Sequence, residues 1–424
     1  VSTTIFASGL ATFCFILVTG RKIPLYYGSS FSYLSAISGL LASQAFYDKL
    51  SPAAQAALDS NAAILPNEVL SYVQFGIVMS GLVSIAAGLL VKLCGTKSVE
   101  KILPASITGP IAMIIGLTLA GNALRDAAPQ AAADVPVLTS GWVWLVSLAT
   151  LLSTVVFSKY LKGFLGQLPL LLGACVGCVF AGLLYAFGGA DMNMFRTLAE
   201  ETTSIFAVPT FTFPKVSWIA VAAIMPIAIA TIPESTAHIY QLDIYVNDLA
   251  KKKKSTKKYD IVSLLDRNLI GDGLCDMITG FIGGPAGTNY GENISTMAIT
   301  RVFSVPVLIA AAVIAMVVSC FTPLIGVIYG IPLAVIGGLE IYLFGAIAAQ
   351  GIAIMIEKKC DMFSAKNIAV IACIMVIGLG TQYVFNGTLD FFGMQVPAVA
   401  GAAIFGIVLN LLLGIGEKKP KAAE

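Results

Sequence analysis

Charge is scarce in this chain. Asp, Glu, Lys and Arg make up 11% of it, where soluble globular domains average roughly a quarter. Histidine occurs once, at His238, and tryptophan three times. The net charge of +2 says little, and no nucleic-acid partner is expected. Eight cysteines are scattered, and the one CxxC-like pair, Cys175 and Cys178, lies inside the apolar run LLLGACVGCVFAGLLY. Without a His or a charged neighbour that pair reads as small helix-packing residues, not as a redox or metal site. No nucleophile–base or metal-ligand constellation is present, so neither an enzyme nor a metal or cofactor is expected. There is no initiator Met and no signal-peptide pattern; residue 1 already lies in an apolar run, which reads as a chain whose first segment is missing.

What fills the sequence is apolar: 58% hydrophobic residues, mean hydropathy +0.89 and forty glycines. Small residues let membrane helices approach closely. A span needs about 20 mostly apolar residues, fewer where it is broken. That rule predicts thirteen segments, at 1–19, 24–46, 68–92, 104–122, 138–158, 164–188, 216–242, 268–283, 286–300, 303–328, 332–356, 367–384 and 396–415. Counted from the first, the odd connections and the C-terminus carry 21 of the 25 basic residues, including Arg21, Lys22, the Lys251–Lys254 run and Lys418. This split places those connections and the C-terminus in the cytoplasm. Residue 1 then faces outside, so a cytoplasmic start requires a fourteenth segment upstream. Fourteen divides into seven plus seven, and an odd repeat length inverts one half against the other.

Two segments are interrupted. Residues 23–33 read IPLYYGSSFSY and residues 283–301 read GGPAGTNYGENISTMAITR; they lie seven segments apart. Irregular backbone at membrane depth survives only where it is buried or lines a cavity. A helix opening near Tyr290 and Gly291 leaves its first N–H groups free to face a ligand. The 283–301 stretch therefore reads as a binding site.

No Lys or Arg lies deep in any segment, whereas Glu234, His238, Asp272, Asp276, Glu292 and Glu340 do. Buried ionisable groups in a membrane are costly and by default functional. Glu234 and His238, in TIPESTAHIYQ, share one helix face and can share a proton. Asp272 and Asp276 are one turn apart and read either as functional acids or as solvated caps. Glu340 stands alone, as a second proton site, a structural acid or an interface residue. Deep acids with one His suit a proton as the coupled ion, with Na⁺ the alternative. The loop 243–267, with KKKKSTKK, reads as a solvated tether.

KIPLYYGSSFSY, the Glu-x-x-x-His of PESTAHI, and TNYGENISTMAITR together resemble the nucleobase/ascorbate transporter family, within it the bacterial uracil–proton symporters, from residue 1 to about 415. The resemblance implies an all-α polytopic membrane protein with a 7+7 inverted-repeat fold and two broken helices. It implies a core domain from 1–103 and 216–330 and a gate domain from 104–215 and 331–424 that also makes a homodimer. It implies uracil and a proton as cargo, in a bacterial cytoplasmic (inner) membrane. Carried over by residue, Glu234 and Glu292 hold uracil, Phe31 stacks near its ring, Tyr290 and Gly291 offer backbone groups, and Ser29 and Ser30 are polar positions of the first broken helix. His238 joins the proton-linked network, with Asp272 and Glu340 as further candidates. Purine-transporting relatives typically carry Gln where Glu292 stands, which favours uracil. Two departures are Asp272, where purine-type members often have an acid, and Phe344, which replaces a tyrosine on the expected site wall. A purine (xanthine or urate) symporter of the same fold and a passive nucleobase facilitator or channel are the alternatives.

Overall fold

A computed structural model describes residues 1–30, 32–59, 65–95, 103–130, 135–196, 204–391 and 394–415. Its helices are α1 (Ser2–Val18), α2 (Ser32–Leu41), α3 (Gln44–Tyr47), α4 (Pro52–Asp59), α5 (Asn67–Cys94), α6 (Ala105–Thr118), α7 (Ala120–Ala127), α8 (Trp142–Tyr160) and α9 (Pro169–Gly188). The second half holds α10 (Trp218–Ile224), α11 (Ala228–Lys252), α12 (Leu265–Ile282), α13 (Gly291–Thr300), α14 (Val305–Val318), α15 (Thr322–Tyr329), α16 (Leu333–Glu357), α17 (Ala365–Val384) and α18 (Ala398–Leu413). Two short strands, β1 (Tyr27–Ser29) and β2 (Gly287–Asn289), precede α2 and α13, and a hairpin of β3 (Thr388–Phe391) and β4 (Met394–Pro397) follows α17.

Each of the thirteen predicted segments corresponds to one helix or one broken unit. Among the described residues, seven helical stretches are long and apolar enough to cross a membrane, and α1, α2, α14 and α18 are shorter apolar helices. The two remaining segments fall outside that apolar class for a physical reason. Helix α12 carries Asp266, Arg267, Asp272 and Asp276, and α13, GENISTMAIT, is polar at five of its ten residues. One boundary needs correction: α11 runs to Lys252, ten residues into the expected loop at 243–267. No breaker stands between Gln241 and Lys252, and an i,i+4 ion pair, Lys252 to Asp248 at 2.6 Å, lies on its last turns. The chain then returns against that extension, Ile261 N–H donating to Asp243 at 2.8 Å and Tyr259 N–H to Asn247 at 3.0 Å.

Helix α5 packs along α12, α1 lies against α12 and α14, and α10 and α11 close on α5. The second set of contacts joins α16 to α6, α7 and α8, α9 to α8, and α17 to α6 and α18. Backbones touch in the first set: a Cβ on Gly81 of α5 would overlap the Gly273 carbonyl oxygen of α12, and one on Gly273 would overlap that of Gly81. Only glycine permits this approach. The outside is apolar, with Leu148 and Leu152 of α8 and Val179 and Phe187 of α9 exposed, while Asn268, Asp272, Asp276 and Asn289 are buried. This is the inverse of a soluble protein's pattern. Cys175 is exposed and Cys178 half-buried on α9, both as free thiols.

Candidate functional site

The two interrupted segments meet as an antiparallel strand pair, Tyr27 opposite Asn289, Gly28 opposite Thr288 and Ser29 opposite Gly287. The pairing continues at both ends, Ser30 N–H donating to the Ala286 carbonyl at 3.0 Å and Tyr290 N–H to that of Tyr26 at 3.1 Å. Each strand satisfies backbone groups that the broken helix cannot. Helix α1 holds β1 from outside the pair: Ser8 donates to the Tyr27 carbonyl at 2.7 Å, and Tyr27 N–H donates to Thr12 Oγ1 at 3.0 Å. Helices α2 and α13 then start at the strand ends.

A cavity of about 280 Å³ opens beside this pair. Ser29, Ser30 and Ser32 line it from the first broken segment, and Thr288, Asn289, Tyr290 and Gly291 from the second. Pro233, Glu234, Ala237, His238 and Gln241 line it from α11. The facing wall is Thr108, Ala112 and Ile115 of α6 with Leu343, Ile347, Gln350 and Ile354 of α16. Thus Ser29, Ser30, Glu234, His238, Tyr290 and Gly291, singled out in the sequence, surround one space. Glu234 and His238 lie one turn apart on the same face of α11, as their spacing requires. His238 is buried, 4% exposed, and hydrogen-bonds to the Asn289 backbone. Its Nδ1 has no partner among the described residues. Gly291 opens α13, and a Cβ there would sit 2.9 Å from His238 Nε2. The imidazole is therefore packed directly on the half-helix start. Tyr290 precedes it as N-cap, and its hydroxyl donates to the Ser29 carbonyl at 3.0 Å.

Phe31 and the Glu292 side chain lie outside the described residues; Glu292 is the second residue of α13.

Two other expectations change, that for Phe344 and the cap alternative for Asp272 and Asp276. Phe344 does not line the cavity: it is buried, 3% exposed, against Leu119 and Ala123. The α16 face with Leu343, Ile347, Gln350 and Ile354 forms the wall instead, because α16 turns its small-residue stripe, with Ala348 and Gly351, toward α6. Glu340 is also off the cavity lining, with Oε2 buried and no hydrogen-bond partner among the described residues. Asp272 and Asp276 are not solvated caps. Both are buried behind the strand pair. Asp272 accepts from Ser235 and from the Asn289 amide at 2.8 Å. Asp276 accepts from Tyr27 Oη at 2.5 Å and from Gly287 N–H at 2.8 Å. Sequence reasoning missed Thr108, Gln350 and Gln241. Gln241 was accessible, since 234, 238 and 241 share a helix face; Thr108 and Gln350 carry no motif.

Residues 1–387 match the family model Xan_ur_permease, described as "Permease family". The chain is 34% identical to a uracil permease of Bacillus caldolyticus over 425 residues, covering all of this chain and 87% of the relative. It is 33% identical to the uracil permease of Bacillus subtilis (strain 168), covering 96% and 85%, and 31% identical to that of Escherichia coli (strain K12), covering 95% and 84%. Among solved structures it resembles the transmembrane domain of a cyanobacterium bicarbonate transporter, BicA, with TM-score 0.54, 15% identity and coverage of 98% and 97%. It also resembles SLC26A9, with TM-score 0.60, 12% identity and coverage of 99% and 65%. At that identity these two speak for the fold alone, the 7+7 inverted-repeat transporter architecture. Set beside the broken-helix cavity, the full-length match makes this chain a membrane transporter and not an enzyme, and it belongs to the nucleobase/ascorbate permease family.

Proposed function

We propose that the protein imports uracil together with a proton across the cytoplasmic membrane. The observation that carries this reading is the convergence of Glu234, His238 and the Gly291 end of α13 on one cavity between the broken segments. Uracil is a flat ring with two N–H donors and two carbonyl acceptors. A carboxylate accepts from an N–H edge, and free N–H groups at a half-helix start donate to a carbonyl. A site built on such bonds rejects analogues whose edges leave buried polar groups unpaired. In this reading Glu234 and Glu292 accept from the ring and Phe31 stacks on it. Protonation of the Glu234, His238 and Glu292 network from outside neutralises buried charge and admits uracil, and both cargoes leave inward.

Residues 1–103 and 216–330 form the core that carries the site, and residues 104–215 and 331–424 the gate that supplies the Thr108 and Gln350 wall and the dimer contact. The C-terminus is cytoplasmic. Asp272, the residue that suggested a purine carrier, faces Ser235 and Asn289 away from the main cavity, which weakens that alternative.

The test is uptake of radiolabelled uracil by purified protein in liposomes, with and without an inward proton gradient. Uptake accelerated by the gradient and not blocked by xanthine is expected. Uptake indifferent to the gradient points to a facilitator, and xanthine uptake without uracil uptake to a purine carrier; either result rejects the proposal.

A further inference from the structure

The two sets of helices meet differently at the two ends of the cavity. Where α2 and α10 face β4 and α18, they meet through apolar side chains: Ala36 and Leu40 of α2, Ala220 and Ala223 of α10, and Val399 and Ala402 of α18 are buried in one cluster. Many small contacts hold that end at once. The other end is where α11 enters the Lys251–Lys254 run and α16 stops at Glu357.

Toward this second end, α11 and α16 line the cavity as far as Gln241 and Ile354. Among the described residues they are not a pair that packs along each other. A cation–ring contact crosses between them. Lys358 lies four residues beyond Ile354, on the same face of α16, and Tyr240 immediately precedes Gln241. The Lys358 ammonium sits over the Tyr240 ring, 4.6 Å from its centroid. An ammonium within about 6 Å of a ring centroid is attracted by the negative ring face.

We propose that Lys358 and Tyr240 form a latch across this end of the cavity. While the ammonium rests on the ring the two helix sets are held together there, and its release opens the end through which cargo passes. This rests on the reading of the chain as a carrier whose two sets move against each other. A charge on a ring suits that task better than an apolar seam. It is made on a flexible four-carbon stem, with Lys358 exposed and Tyr240 half-buried. Such a contact shifts an equilibrium by roughly 2- to 30-fold, enough to favour a closed end without locking it.

Gln350, on the cavity wall, serves as the reporter. In purified Gln350→Cys protein, the rate at which a bulky hydrophilic maleimide modifies residue 350 is read by peptide mass spectrometry. It is taken relative to the rate at Cys94, which is exposed at the end of α5. Lys358→Met keeps a long stem and removes the charge; Tyr240→Leu removes the ring face. Each is expected to raise the relative rate roughly 2- to 30-fold, and the double variant no more than either alone. Lys358→Arg and Tyr240→Phe keep a cation and a ring, so they hold the parent rate and show that the fold tolerates change at both positions. Unchanged rates in Lys358→Met and Tyr240→Leu overturn the proposal, and so do increases that multiply in the double variant. No uracil is added, so a failure here is separate from a failure of the cargo assignment.

Discussion

Gly291→Ala is a one-carbon perturbation at the point where the half-helix meets the histidine. Judged on helix propensity alone, alanine is the better residue by about 1 kcal/mol, and the change would be harmless. The geometry says otherwise. The new Cβ would lie 2.9 Å from His238 Nε2 and 3.4 Å from its Cδ2, so the ring or the start of α13 must shift. His238 is enclosed, 4% exposed, and cannot swing into open space. Forcing an extra carbon into such packing costs typically 1–3 kcal/mol, which outweighs the propensity gain. Because the strained contact is itself cavity wall, the displacement should appear in ligand affinity: a loss of roughly 5- to 150-fold at 1.4 kcal/mol per tenfold. Calorimetric titration of uracil into the purified variant measures it. The control is the same substitution in a His238→Ala background, where the ring that obstructs Cβ is gone. There Gly291→Ala should cost at least about 1 kcal/mol less, a coupling that a double-mutant cycle isolates. Wild-type affinity for Gly291→Ala, or an equal loss in both backgrounds, would refute the packing argument.

Three further outcomes follow from the same geometry. If uracil is the cargo as proposed, Glu234→Ala removes the acceptor assigned to a ring N–H and should weaken uracil binding by about 2–3 kcal/mol, roughly 30- to 150-fold; titration showing less than a threefold change counts against Glu234 as a ligand. Phe344→Leu should lower thermal stability by up to about 1.5 kcal/mol while uracil affinity holds, since Phe344 packs on Leu119 and Ala123; a collapse in affinity with stability intact would return it to the site wall. Tyr27→Phe deletes the hydroxyl that donates to Asp276 at 2.5 Å and should destabilise by about 1–3 kcal/mol, read as a lower melting temperature. Unchanged melting would mean that this bond adds nothing to the crossing.

The segment plan was legible because each of its cues is local. Apolar run length gave the spans, and Gly, Pro and Ser interruptions at 23–33 and 283–301 gave the two breaks. What was not legible depends on partners far away in the chain. Nothing around Asp276 reveals that its carboxyl receives a hydroxyl from Tyr27, 249 residues distant; without that partner it looks like an ordinary helix-end acid. The phase of α16 had a usable signal. Gly337, Gly338, Phe344, Ala348 and Gly351 form the buried, small-residue side of the helix, and a stripe of that kind belongs against a neighbouring helix. Assigning Phe344 by its place in a motif overrode that stripe. The overrun of α11 into the lysine run shows the opposite limit: charge ends a membrane span but does not end a helix.

The absence of Lys and Arg at depth follows from the same fold. Breaking two helices at their middle places the starts of α2 and α13 inside the fold, and a helix start already supplies partial positive charge. A cationic side chain there would add donors to a site whose proposed cargo also presents donors. What such a site lacks is acceptors, and acidic or amide oxygens fill that need on two levels. Glu234 faces the main cavity, while Asp272 and Asp276 bind the strands and their neighbours from behind. Asn289 joins the two levels, its amide donating to Asp272 and its backbone bonded to His238. One buried residue thus bonds both to the acid behind the crossing and to the histidine at the cavity, so the acids behind the crossing help hold the cavity wall in place.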